Sequence, residues 1–79
     1  MTPINAKVLF ERGYEDLSND NHDNFRFYLG KASYLDIIKR PEHDYWQAIS
    51  TFSKTNVFSM EEIDVIIEEL LKRINGEQL

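Results

Sequence analysis

Residues 60–75 carry the most regular apolar pattern in the chain, and this pattern constrains the fold more than any other feature of the sequence. Apolar side chains recur there at intervals of three or four residues, the spacing of one face of an α-helix. They are Met60, Ile63, Ile66, Ile67, Leu70, Leu71 and Ile74. Ser59 precedes the segment and Glu62 comes three residues later, which is the pattern of a helix-capping box. The sequence therefore predicts a helix over 60–75 that buries a broad apolar face.

Two earlier segments, 3–17 and 41–54, are also predicted as helices. Thr2 suits the capping position of the first, and Pro3 suits its first helical position. Pro41 favours the start of the other helix because its ring fixes a helical φ and needs no N–H partner there. Both segments place apolar residues at helical spacing.

The segment 24–39 allows two interpretations. As a helix it has two apolar faces, which is typical of a helix packed on both sides. As an alternative, the aromatic residues of 25–29 form a short strand that Gly30 ends. We favour the helix because 31–39 continues with good helix formers and without a turn signal. The predicted fold class is then all-α: one domain spanning 1–79, a compact bundle of about four short helices at 3–17, 24–39, 41–54 and 60–75.

Length and composition exclude several classes of protein. The chain has 79 residues and no cysteine, so disulfide scaffolds, thiolate zinc sites and thiol catalysis are ruled out. Its longest apolar run is three residues, far below the roughly 20 that a membrane-spanning helix needs. The N-terminus lacks the basic and apolar regions of a secretory signal. We therefore expect a soluble cytoplasmic domain without a membrane partner.

The residues that most often carry chemistry do not form a recognisable site in the sequence. His22 and His43 each lie beside acidic residues, but neither spacing is that of a helical metal-binding pair. No serine lies in a nucleophile-elbow motif, and the three glycines are too far apart for a phosphate-binding loop. The sequence predicts a non-enzymatic protein with no catalytic residue, cofactor or metal.

Three apolar residues lie away from the predicted buried faces and indicate a binding surface. Val65 lies among acids on the last helix, and Ile4 and Val8 lie on the outer side of the first. If they converge with Phe27 or Tyr34, they form an apolar anchor with an acidic rim that another protein, or a second copy of the chain in a homodimer, would cover. The alternative is that they are single exposed apolar residues, which are common on protein surfaces. The candidate partner-binding residues are Ile4, Val8, Glu61, Asp64, Val65, Glu68 and Glu69. The predicted function is that of a small acidic protein-binding module, such as a regulator, adaptor, inhibitor or immunity-type factor.

Two alternatives involve nucleic acid or its imitation. The carboxylates of the last helix could present phosphate-like charge, as in a DNA-mimicking inhibitor of a nucleic-acid-binding protein. The helices at 41–54 and 60–75 have about the lengths of a helix-turn-helix. Direct nucleic-acid binding is disfavoured, because the formal net charge is −5 and the second of these helices opens with acids.

Overall fold

In the computed structural model, which describes residues 1–77, the chain forms two layers: an antiparallel sheet and two helices packed on one of its faces. The elements in chain order are α1 (Ala6–Glu11), β1 (Glu15–Asp16), β2 (Asp23–Tyr28), β3 (Tyr34–Lys39), β4 (Trp46–Ile49), β5 (Lys54–Val57) and α2 (Met60–Glu77). The five strands form an antiparallel meander in the order β1-β2-β3-β4-β5. The predicted all-α bundle is therefore wrong, and the domain belongs to the mixed α/β class.

The predicted helix at 24–39 consists of strands β2 and β3. The alternative interpretation, a short strand at 25–29, is close to the observed β2. Phe25 and Phe27 point towards the helices, whereas Arg26 and Tyr28 point to the other side of the sheet. Aromatic residues therefore occur on both sides of the strand, and on a helical wheel this pattern looks like two apolar faces.

The predicted helix at 41–54 is also wrong. Residues 41–45 belong to the connection between β3 and β4, residues 46–49 are β4, and residues 50–53 form the turn that leads into β5 at Lys54. Ser50 N–H donates to the Ser53 carbonyl at 2.9 Å and closes this turn around Thr51 and Phe52. Neither turn residue is Gly, Asn or Asp, so the sequence carries no short-hairpin signal here.

The first predicted helix, 3–17, is shortened to Ala6–Glu11. Its cap is Asn5, whose side-chain oxygen accepts a hydrogen bond from Val8 N–H at 2.9 Å. Gly13 ends the helix with a φ of 88°, a left-handed conformation that favours glycine. Gly13 N–H donates to Phe10 O, and Tyr14 N–H donates to Leu9 O, the bond pattern of a Schellman motif. The chain then turns into β1 instead of continuing as a helix.

The last predicted helix is confirmed, since α2 covers Met60–Glu77. Ser59 is buried, and its hydroxyl oxygen accepts a hydrogen bond from Glu62 N–H at 3.3 Å, as expected of the capping residue. Met60 N–H donates to the Thr2 carbonyl at 2.9 Å, so the N-terminal segment lies against the start of α2.

The hydrophobic core lies between the helices and one face of the sheet. The buried apolar residues are Ile4, Leu9, Tyr14, Phe25, Leu35, Ile37, Ala48, Val57, Met60, Ile63 and Leu70. The other face of the sheet, which we call the open face, has no helix against it among residues 1–77. Within the same residues, neither helix combines the length and the apolar content needed to cross a bilayer.

Candidate functional site

The structure separates the predicted partner-binding residues into three groups. Ile4 and Val8 form the first group. Ile4 is only 9% exposed and belongs to the core, and Val8 packs half-buried against it. These two side chains therefore do not form one exposed patch with Val65, which lies on the solvent side of α2.

Glu61 and Asp64 form the second group, and both bind the N-terminal part of the chain. Thr2 N–H donates to Glu61 Oε1 at 2.6 Å. Arg12, just after α1, donates from Nη1 to Asp64 Oδ2 at 2.8 Å. Both carboxylates thus join α2 to the N-terminal segment and to α1.

These contacts change the acidity of the groups around them. The hydrogen bond from Thr2 N–H lowers the pKa of the Glu61 carboxyl below its usual value. Burial, and secondly the nearby Asp64 charge, raises the pKa of Tyr14 to about 12. The Tyr14 hydroxyl is buried and has no hydrogen-bond partner among residues 1–77.

Val65, Glu68 and Glu69 form the third group, and they remain on the solvent side of α2. Val65 is 55% exposed. The residues three and four positions before and after it are its neighbours on the helix surface, and all four are glutamates: Glu61, Glu62, Glu68 and Glu69. We call Val65 and these four glutamates the Val65 surface.

The carboxylates of the Val65 surface differ in how they are paired. Glu61 binds Thr2, as described above. Glu68 lies 3.9 Å from Lys72 Nζ, and both side chains are more than two-thirds exposed, so this ion pair contributes little. Within residues 1–77, the structure gives no ion pair to Glu62 or Glu69. The surface therefore presents an apolar centre with largely uncompensated negative charge.

The open face of the sheet is a second candidate surface, which the sequence analysis missed. One row of facing residues crosses all five strands: Glu15, Arg26, Asp36, Ile49 and Lys54. Arg26 donates from Nε to Asp36 Oδ1 at 2.8 Å and from Nη2 to Oδ2 at 3.1 Å. Its guanidinium also lies 3.7 Å from the centre of the Tyr34 ring. The Asp36 hydrogen bonds raise the pKa of Arg26.

Other side chains of the open face are linked in the same way across the strands. Arg40 donates to Gln47 Oε1 at 2.8 Å, and the Gln47 amide donates to Asn56 Oδ1 at 3.3 Å. The Tyr28 hydroxyl donates to Glu15 at the β1 side of the sheet. These polar side chains of the open face therefore bind one another, and the same face also carries Tyr34, Ile38 and Ile49.

The two histidines lie in different surroundings. His22 lines a shallow polar cleft of about 150 Å³ together with Asp20, Lys39 and Arg40. His43 stacks on Tyr45, with 4.6 Å between the ring centres. Among residues 1–77, no three His, Asp or Glu side chains converge in a way that could hold a metal ion.

The fold contradicts the helix-turn-helix hypothesis. Its first helix would occupy 41–54, where the structure has β4 and a turn. The acidic helix on which the DNA-mimic hypothesis rests is present as α2.

Comparison with known proteins finds no significant relative: no protein-family model, no curated protein and no solved structure matches the chain.

Proposed function

We propose that this chain is a non-enzymatic protein-binding domain and that the Val65 surface is its docking site. The observation that supports this proposal is the exposure of Val65 at the centre of four glutamates. The sheet and α1 act as the scaffold that holds α2 and turns its acidic side outwards.

The stability of α2 does not explain why a valine occupies position 65. A β-branched side chain loses rotamer freedom in a helix, so alanine, lysine or glutamate would favour the helix more at an exposed position. Its side chain lies on the solvent side, where it buries little area against the core. A partner with an apolar pocket would gain from burying it, by about 1.5–3 kcal/mol for complete burial.

The surrounding carboxylates indicate the chemistry of the partner. Clustered negative charges destabilise an isolated helix slightly, because like charges at helical neighbours repel one another. Lysine or arginine side chains around the partner's pocket would remove this repulsion and would steer the two proteins together. The partner that fits is therefore a protein with an apolar pocket in a basic surface.

The proposal is tested by quantitative capture of proteins from the native host with immobilised wild-type chain and two variants. Val65→Ser removes the anchor, and we expect it to weaken capture of the specific partner about tenfold or more. Phe10→Ser is the matched control, because Phe10 is a still more exposed apolar residue (71%) that lies on α1. It should leave that capture unchanged.

Other outcomes have different meanings. Equal loss in both variants would indicate nonspecific apolar adsorption and would contradict the proposal. Capture that survives Val65→Ser but is lost in a Glu68→Gln/Glu69→Gln variant would favour the DNA-mimic alternative, which needs the charges but no apolar anchor. If no protein depends on either change, the Val65 surface is not a docking site.

A further inference from the structure

We propose that a second copy of this chain pairs with the outer edge of β5, so that two five-stranded sheets join into one continuous antiparallel sheet about a two-fold axis.

Along its outer edge, β5 presents backbone N–H and C=O groups to a second strand. Within residues 1–77, β5 pairs with β4 alone. Ser50 and Ser53 form a hydrogen-bonded pair at the turn, and such pairs alternate along an antiparallel ladder. Thr55 therefore bonds towards β4, whereas the N–H and C=O groups of Lys54 and Asn56 point to the outer edge. These groups are ready to pair with another strand.

The other edge of the sheet, formed by β1, is unsuitable for pairing with a second chain. β1 has only two residues, Glu15 and Asp16, and both are acidic. A short edge strand with like charges resists pairing. With one usable edge in each copy, pairing through β5 closes at two copies instead of growing into a fibre.

The side chains of the two copies complement each other when the two-fold axis passes through Asn56. The two Asn56 residues then face each other, and Lys54 faces Phe58 of the second copy on the open side of the joined sheet. Phe58 directly follows β5 and is 64% exposed, and its ring centre lies 6.4 Å from that of Tyr45, with the two rings tilted. The Lys54 ammonium would lie over this exposed ring, and the two Lys54 charges would stay apart.

The order of charges along α2 also favours this arrangement. A two-fold axis perpendicular to the sheet places both α2 helices on the same side, running antiparallel. Glu61 and Glu62 lie in the first turn of α2, and Lys72 and Arg73 lie in its C-terminal half, before the last turn. The acidic start of each helix would therefore approach the half of the other helix that carries Lys72 and Arg73. A groove of about 290 Å³ lies between Thr55 on β5 and Ile66 on α2, and it leaves space for the second copy beside the β5 edge.

The test starts with the mass of the full chain in solution, measured by sedimentation equilibrium at protein concentrations up to about 1 mM, where even weak complexes assemble. We expect a species of twice the monomer mass of 9.4 kDa. Asn56→Pro removes an N–H that does not bond to β4, a change that edge strands tolerate. It should leave the circular-dichroism spectrum unchanged and weaken dimerisation about 30-fold through loss of the central pair of backbone hydrogen bonds.

A cysteine comparison tests the location independently, because the natural chain has no cysteine. Asn56→Cys should form a covalent dimer on mild oxidation, since facing Cα atoms about 5.5 Å apart can be bridged by a disulfide. Glu15→Cys, on the opposite edge, is the matched control and should remain monomeric. If Asn56→Pro does not fold, the comparison of the two cysteine variants alone tests whether the chains pair through β5.

A monomeric wild-type chain throughout the concentration range would overturn the proposal. So would equal cross-linking of the two cysteine variants, or a folded Asn56→Pro variant that dimerises as well as the wild type. Val65 itself takes no part in the strand pairing, although Glu61 and Glu62 of the Val65 surface lie near the proposed contact between the helices. Val65→Ser should therefore leave the dimer intact, and the two proposals can fail separately.

Discussion

Arg26 and Asp36 lie directly opposite each other on β2 and β3 and form a two-pronged ion pair at the middle of the open face. Their side chains are only 24% and 14% exposed, although no helix covers this side of the sheet. The pair therefore belongs to the structure of the sheet and is not an ordinary solvated surface contact.

Removing the charge of Asp36 should destabilise the fold. Asp36→Asn leaves the half-buried Arg26 guanidinium without its charged partner, and we expect the free energy of unfolding to fall by about 1–3 kcal/mol. Urea unfolding followed by circular dichroism measures this change. Glu15→Gln, in the same row but exposed, is the control and should cost clearly less. Equal losses in both variants would show that the central pair has no special role.

Tyr14 should make the domain sensitive to alkali. Its pKa rises from 10.0 in the unfolded chain to about 12 in the folded one, so between these values the unfolded chain releases a proton that the folded chain keeps. Stability should therefore fall as the pH rises through this range.

Tyr14→Phe should abolish this alkaline loss. It should also raise stability at neutral pH by about 1 kcal/mol, since it removes a buried hydroxyl that has no partner among residues 1–77. Thermal unfolding at pH 7 and at alkaline pH provides both measurements. Tyr34→Phe, at an exposed position, is the control. A variant that is less stable at pH 7 would mean that the hydroxyl is satisfied.

Glu61 should contribute to stability at neutral pH and lose that contribution in acid. Its pKa is lowered in the folded state by the Thr2 hydrogen bond, so its stabilising effect is present above its usual pKa of 4.5 and disappears as the pH falls below it. Glu61→Gln should therefore show a smaller acid-induced loss than the wild type. Glu62→Gln is the control, because no ion pair is formed by Glu62 among residues 1–77. Identical acid-unfolding curves for wild type and Glu61→Gln would contradict this account.

Glu68 and Glu69 should favour binding at the expense of stability. In the proposed function, a Glu68→Gln/Glu69→Gln variant has less repulsion along α2, so its melting temperature should be unchanged or slightly higher. Its affinity for the partner should fall, and the remaining binding should depend less on salt. A variant that binds normally would exclude the acidic rim from the docking site.

The sequence predicted α2 well because one helix face alone is buried, so its apolar period is clear. The strands were not predicted because apolar and polar residues do not alternate strictly along them. β3 buries Leu35 and Ile37 but also carries Tyr34 and Ile38 on the open face, and β5 buries only Val57 of its four residues. Gly13 lies inside the predicted helix 3–17, whereas its positive φ ends α1 in the structure.

The candidate site was predictable only where it lies on α2, the helix whose apolar period is clear. Val65 and its glutamates lie on the one element that was predicted correctly, so their shared exposure followed from helical geometry. Ile4 and Val8 were placed on the outer surface of a helix from 3 to 17, but Ile4 precedes α1 and packs into the core. The Arg26–Asp36 pair depends on the register of β2 and β3, which only the fold reveals.

The central claim, that the Val65 surface binds a partner protein, is tested most directly by mapping the contact on the chain itself. The measurement is the change in backbone amide chemical shifts when the ¹⁵N-labelled chain is titrated with the partner that Val65-dependent capture yields. The account predicts that the largest shifts fall on the solvent side of α2, around Val65, Glu68 and Glu69. Shifts concentrated on the open face of the sheet, with α2 unaffected, would contradict it.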